Sequence, residues 1–258
     1  MGINFHSPQN KYTYANRKVN QMWMDTIARM IPMNQIKNAL DIGCGGGNYS
    51  IALSEVGVDS IIGVDYSEVM LEGAKENCRD YQNISFHHGN AYDTGLESDH
   101  YDLVLERAVI HHLDNLSKAF GEAYRLLKSE GYYVIQDRTP EDCMLKGSQN
   151  HIRGYFFEKF PKLIKTEVSR RYESHIVIDL LKEAGFQEIQ EVKLWEPRRT
   201  YNQKEDLLED LRKRIGRSIL HELNDTELEE LVQYIDESVE TEENIIEKDR
   251  WTIWVAKK

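Results

Sequence analysis

Residues 39–48 read Ala-Leu-Asp-Ile-Gly-Cys-Gly-Gly-Gly-Asn. Glycines in such a run let the backbone approach a ligand closely and take positive φ. The dinucleotide fingerprint G-x-G-x-x-G requires a glycine where Asn48 stands, whereas G-x-G-x-G is met by Gly43, Gly45 and Gly47. Asp41 precedes the first glycine by two positions, where its charge repels a pyrophosphate and welcomes an ammonium group. The turn therefore favours a ligand carrying an amino acid. Further on, Asp65 closes Gly-Val-Asp and suits both hydroxyls of an adenosine ribose, or else caps the next helix, a place Ser67 fills better. Asn90, in Gly-Asn-Ala, offers a carboxamide to the adenine amino group and ring nitrogen, or serves as an ordinary turn residue.

A second group follows the run YDLVLE: Glu106, Arg107, His111 and His112. Carboxylates and imidazoles here are candidate bases for a nucleophile that arrives protonated, and packing is the alternative for the histidine pair. No carboxylate or cysteine falls at ligand spacing beside that pair, so no metal is expected. Arg138, His151, Arg153, Tyr155, Phe156 and Phe157 form a third group. They make either an anion-binding aromatic pocket, or a helix whose aromatics are core while its Arg and His face solvent. The pairs Arg170-Arg171 and Arg198-Arg199 read as solvated surface.

The elements that must position these groups alternate short β-rich runs with helical patterns, an α/β arrangement of parallel strands joined by crossover helices. Strands are expected at residues 37–42, 60–64, 84–88, 101–106, 132–137, 187–195 and 251–256, with Gly131 marking the entry to the fifth. The first three candidate features all fall at the carboxyl ends of successive strands, where ligands of such sheets bind. Residues 138–173 form a long connection, and 202–245 read as two helices, the second opened by a capping box of Thr226 and Glu229.

The chain has 258 residues, 32 Lys and Arg and 44 Asp and Glu, a net charge of −12. Residues 201–250 hold 16 acidic and 7 basic side chains, so most of the acidity is regional. Nucleic acid is a poor partner for such a chain. The cysteines Cys44, Cys78 and Cys143 are too few for a disulfide framework, which fits a reducing cytoplasm, and no stretch approaches the roughly 20 apolar residues of a membrane span.

The segments ALDIGCGGGNYS, IIGVDYSEVML, HGNAYD, YDLVLERAVIHHL and AYRLLKSEGYYVIQD, within residues 38–137, together carry a resemblance. The chain resembles the class I S-adenosylmethionine-dependent methyltransferases, particularly the small-molecule branch with the common methyltransferase domain. The resemblance implies a Rossmann-like seven-stranded, mostly parallel sheet with an antiparallel last strand and helical lid insertions. S-adenosylmethionine is the implied cofactor, S-adenosylhomocysteine its product and a small molecule the acceptor. Asp41 and the loop Gly43, Cys44, Gly45 and Gly47 then hold the methionine moiety, Asp65 the ribose hydroxyls, Tyr66 stacks by the adenine, and Asn90 with Ala91 reads the base edge. Asn90 departs from the Asp of many relatives, and Arg107, counted with the cofactor contacts, stands where relatives often carry a small polar residue. Residues 1–36, with Tyr12, Tyr14 and Arg17 ahead of a helix at 19–31, correspond to a lid. Residues 37–258 correspond to the methyltransferase domain, its insertions 138–173 and 202–245 shaping the acceptor pocket. The alternatives are a cofactor-binding sensor or partner subunit without transferase activity, a protein methyltransferase, and a nicotinamide oxidoreductase, the last disfavoured by Asn48 and Asp41.

Overall fold

The computed structural model describes residues 19–258, so the expectations for Tyr12, Tyr14 and Arg17 lie outside the described residues. Seven strands form one sheet in the order β3-β2-β1-β4-β5-β7-β6. They are β1 (Asn38–Ile42), β2 (Ser60–Asp65), β3 (Ile84–His88), β4 (Tyr101–Arg107), β5 (Leu127–Asp137), β6 (Gln187–Gln203) and β7 (Glu243–Lys257). β1 pairs in parallel with β2 and β4, β2 with β3, and β4 with β5, while β5 and β7 are antiparallel. This is the expected Rossmann-like α/β sheet. Its central strands carry no polar face because helices cover both sides: Ala39, Leu40 and Val104 have no exposed surface.

The helices begin where local chemistry stops the backbone from leaving donors unmade. Asn20 accepts the Met22 N–H ahead of α1 (Gln21–Met30), and Ser67 accepts the Met70 N–H ahead of α3 (Glu68–Asn77). Asn115 does the same for Lys118 at α4 (Leu116–Leu126), whose buried face is Leu116, Ala119, Phe120, Ala123 and Leu126, the 3.6-residue period seen in the sequence. Each such cap contributes about 1 kcal/mol. α2 (Asn48–Glu55) has no capping side chain and starts directly from Gly47. α8 (Ser174–Glu183) is closed by Gly185 at φ +104°.

The chain divides into two compact units. One holds residues 19–137 with Ser174–Val192 and Thr252–Lys258. The other holds Arg138–Glu173 and Lys193–Trp251, and so gathers both expected insertions. Its helices are α5 (Pro140–Cys143), α6 (Ile152–Lys159), α7 (Lys162–Val168), α9 (Lys204–Arg212) and α10 (Asp225–Ser238). Ile152, Phe156, Phe157, Leu207, Leu211, Leu231 and Ile235 pack into its own hydrophobic core.

Several expectations are corrected. β6 runs on to Gln203, and β7 starts at Glu243 rather than at Trp251. In β7 the inward positions include Glu247 and Asp249, at 1% and 7% exposure, so charge hides the alternation that an apolar pattern would reveal. β5 begins at Leu127, ahead of Gly131, with a register shift against β4. The capping box of α10 is Asn224 with Glu227, two residues before the expected pair. Arg171 is buried and Arg198 partly buried rather than solvated, ion-paired at 2.9 Å with Glu167 and Glu247 respectively.

Candidate active site

β1 and β2 end side by side, Ile42 against Val64, and the glycine turn hangs from that pair. The N–H groups of Gly43 and Cys44 both donate to the Val64 carbonyl, at 2.7 and 3.0 Å. Gly43 and Gly47 adopt φ +71° and +78°, the left-handed region that favours glycine. A Cβ at Gly43 would meet Val109 Cγ2 at 2.3 Å, and one at Gly47 would meet Cys78 Sγ at 2.7 Å. The turn therefore offers backbone and excludes side chains. The Cys44 thiol is buried, and burial together with the Asp41 and Asp65 charges pushes it well above the usual thiol range.

Asp65, at the tip of β2, clamps this turn. One carboxylate oxygen accepts the Gly45 N–H at 2.9 Å and the other the Ser67 N–H at 2.8 Å. A carboxylate offers about four lone-pair sites, so helix entry and hydroxyl binding are compatible tasks. Asp41 is 2% exposed and accepts the Ser50 hydroxyl at 2.7 Å. Burial pushes its carboxyl up to about 6, the Ser50 hydrogen bond opposes that rise, and the Asp65 charge adds to it. Two carboxyl groups this close make the end of the sheet suited to a cationic group and hostile to phosphate.

Arg107, which the sequence reading counted, joins two residues that it missed in one aromatic wall. Arg107 places its guanidinium carbon 4.4 Å over the Tyr49 ring, and Trp23 meets the same ring edge-on at 4.9 Å. The Trp23 indole N–H donates to Gln136 at 2.7 Å. Tyr66 is 64% exposed and stacks with His88 at 6.0 Å between ring centroids. The Asn90 side-chain oxygen accepts the Tyr92 and Asp93 N–H groups at 2.8 and 3.1 Å, so half of its carboxamide is engaged in its own turn. The amide NH2 is the half left for a base edge, and Ala91 beside it is buried.

At the end of β5, Asp137 faces His111: Nδ1 lies 2.8 Å from one carboxylate oxygen and 3.1 Å from the other. A carboxylate only accepts, so Nδ1 carries the proton of this bond and Nε2 is left as the acceptor. The His112 ring, exposed, lies 3.9 Å from that of His111. Glu106 stands near the end of β4. It has no exposed surface, and burial, aided by the Asp137 charge and opposed by Tyr133, pushes its carboxyl up to about 8. It is therefore protonated at neutral pH. Among the described residues, no group of three His, Cys, Asp or Glu side chains is arranged to hold a metal ion.

Residues 40–135 match the sequence profile of the methyltransferase domain. The matched stretch is a methyltransferase domain. It is 34% identical over 116 residues to the uncharacterized methyltransferase YcgJ of Bacillus subtilis, 44% of this chain and 46% of that protein. The chain thus spans about half the length of that relative. It is 26% identical over 211 residues to the ubiquinone/menaquinone biosynthesis C-methyltransferase UbiE of Rickettsia bellii, 72% of this chain and 84% of that protein. Its fold is also that of phosphoethanolamine N-methyltransferase 2 from Haemonchus contortus, with a TM-score of 0.61 at 21% identity, over 99% of this chain and 60% of that one.

The residues of this methyltransferase domain fit its cofactor on two structural counts. The turn from Gly43 to Gly47 is a cradle that a Cβ would fill, and the adjacent carboxyls of Asp41 and Asp65 suit a ligand bearing positive charge. What the sequence missed around this domain's site is Ser50, Tyr49, Trp23, Gln136 and Asp137. Tyr49 and Ser50 follow the glycine run closely and Gln136 and Asp137 close the segment AYRLLKSEGYYVIQD, whereas Trp23 lies outside every segment that carries the resemblance.

Proposed function

We propose that the chain is an enzyme that moves a methyl group from S-adenosylmethionine to a small-molecule acceptor, with S-adenosylhomocysteine as product. The observation that carries this reading is the Asp65 carboxylate bridging Gly45 and Ser67 beside a backbone-only turn. S-adenosylmethionine supplies an electrophilic methyl group on a sulfonium, ready for in-line displacement. Placement of the acceptor therefore does most of the work left to the protein. In this reading Asp41, Gly43, Cys44, Gly45 and Gly47 hold the methionine moiety. Asp65 binds the ribose hydroxyls, Tyr66 stacks by the adenine, Asn90 and Ala91 read the base, and Arg107 with Tyr49 walls the cleft.

His111 is the base for an acceptor that arrives protonated, taking the proton on Nε2 while Asp137 holds Nδ1. His112 packs on it and shields it from water. The unit built from residues 138–173 and 193–251 carries the residues that select the acceptor. The partner is a small molecule rather than nucleic acid, as the net charge of −12 argues. Among the described residues no helix is long and apolar enough to cross a membrane, and Cys44, Cys78 and Cys143 are free thiols, as suits a cytoplasmic enzyme.

Calorimetry with S-adenosylhomocysteine, followed by incubation of methyl-labelled cofactor with a metabolite extract, tests the proposal. Binding and a labelled small-molecule product are expected. Binding without any labelled product would make the protein a sensor or partner subunit instead, and label in added protein would make the acceptor a macromolecule.

A further inference from the structure

α3 and the edge strand β3 flank a groove of about 350 Å³. That volume lies within the range of small-molecule sites, about 300–1,000 Å³. Lys75 in the last turn of α3, Cys78 at its cap and Arg79 just beyond line one wall, and Ile84 and Phe86, alternate residues on one face of β3, line the other. Tyr81 lies in the turn between them. All belong to the unit that holds residues 19–137. The groove joins an apolar floor to a positive rim. Cys78 is buried and Tyr81, Ile84 and Phe86 are partly buried, whereas Lys75 and Arg79 are exposed. No Asp or Glu lines the groove, and Arg79 stands 3.8 Å from the neighbouring Asp80, beyond hydrogen-bond range. Two cations beside aromatic and aliphatic surface suit a ligand with an apolar body and an anionic group.

The glycine turn backs this groove. The Cys78 thiol lies 3.6 Å from the Gly47 carbonyl oxygen. A Cβ at Gly47 would meet Cys78 Sγ at 2.7 Å and the Phe86 ring at 3.3 Å, and one at Gly63 in β2 would meet the Phe86 ring at 2.7 Å. Cys78 and Phe86 therefore touch the groove on one side and, on the other, Gly47, from which α2 starts. Close-packed side chains transmit a displacement rather than absorb it. An occupant that presses on Cys78 and Phe86 thus bears on the turn.

We propose that the groove between α3 and β3 is an effector site for a small apolar molecule bearing one anionic group, its body on Ile84 and Phe86 and its anion between Lys75 and Arg79. Binding there stands apart from the methyl-transfer reading, and only its effect on the cofactor rests on that reading. Coupling between the two sites is reciprocal, so an occupied groove shifts cofactor affinity by the same factor as the cofactor shifts the affinity of the groove.

Anilinonaphthalene sulfonate, an apolar anion whose fluorescence rises on leaving water, is titrated into the full chain at fixed ionic strength and then displaced with naphthoate, naphthyl phosphate and the neutral naphthalenemethanol. Saturable binding is expected, with both anions displacing the probe at least tenfold better than the alcohol, and the tighter of them identifies the head group as carboxylate or phosphate. Lys75→Glu with Arg79→Glu is expected to weaken the probe at least tenfold, and Lys75→Gln with Arg79→Gln to fall between. Unfolding midpoints check that both double variants fold, and if the charge reversal does not, the glutamine pair decides. Calorimetry with S-adenosylhomocysteine is expected to show at least a threefold shift in affinity when naphthoate fills the groove of the parent chain, and none in the double variants. No saturable binding, equal displacement by the neutral alcohol, a probe indifferent to Lys75 and Arg79, or cofactor affinity indifferent to naphthoate would each overturn the site. Absence of S-adenosylhomocysteine binding in every sample marks instead a failure of the methyltransferase reading, and the probe titrations then decide the groove by themselves.

Discussion

The Asp137 carboxylate, 1% exposed, holds His111 Nδ1 at 2.8 Å and also lies 3.3 Å from the His111 N–H. Backbone and ring of one histidine are thus fixed by a single buried acid. If His111 is the base, Asp137→Asn removes the group that fixes its tautomer while leaving the shape of the site. Turnover on a protonated acceptor is expected to fall about 10²- to 10⁴-fold. S-adenosylhomocysteine affinity, measured by calorimetry, is expected to stay within about threefold. Turnover equal to that of the parent enzyme would assign the pair a structural role.

Asp65 does two tasks at once, and its variants separate them. Asp65→Ala strips the acceptors from the Gly45 and Ser67 N–H groups and from any hydroxyl bound there. Calorimetry is expected to show at least a tenfold loss of S-adenosylhomocysteine affinity, and denaturant titration a loss of about 1–3 kcal/mol of stability. Asp65→Asn keeps one acceptor oxygen and should fall between. Cofactor affinity intact in Asp65→Ala would remove this residue from the site.

The parts of this site legible in sequence are those made by short-range rules. Gly43, Gly45, Gly47, Asp65 and Ser67 announce themselves because positive φ and capping restrict residue type locally, and each stands within a few residues of a strand end. Asp137 and Gln136 were invisible as site residues, since their partners, His111 and Trp23, are 26 and 113 positions away and meet them only when the sheet forms. Strand β7 was read too short because Glu247 and Asp249 occupy inward positions, facing arginines no periodicity predicts. Pairing with Glu167 four residues earlier accompanies the burial of Arg171, and pairing with Glu247, 49 positions away, leaves the Arg198 side chain only 10% exposed, although both arginines by composition belonged on the surface. Glu106 was readable as a residue near the ligand end of β4 but not as a neutral acid, because burial depends on what Tyr133 and Asp137 bring against it.

Gly43 combines two constraints, a φ of +71° and a site for Cβ only 2.3 Å from Val109 Cγ2. Gly43→Ala is expected to lower stability by about 2–4 kcal/mol, the sum of a clash and a strained backbone. Val109→Ala in the same chain removes the clash but not the strain, so the double variant should regain part of the loss beyond what the two single changes add up to. Simple additivity of the two in urea unfolding would mean that Val109 is not what excludes a side chain at position 43.

Glu106 makes stability fall with pH. Its carboxyl titrates at about 4.5 in a solvated chain and about 8 when folded, because burial disfavours the charge. The folded state therefore binds the proton more tightly, its contribution is fully present below 4.5, and it is lost as pH rises through 8. Over the two units between pH 6 and 8 the loss is about 2–3 kcal/mol. Asp41 acts in the same direction but has its midpoint near 6, so the upper part of the window belongs to Glu106. Glu106→Gln keeps the shape and cannot ionise. Urea unfolding across this window should show declining stability for the parent protein and a flatter profile for the variant, which becomes the more stable of the two at the alkaline end. Parallel profiles would mean that Glu106 is already charged when folded at neutral pH, and would restore it as a candidate base.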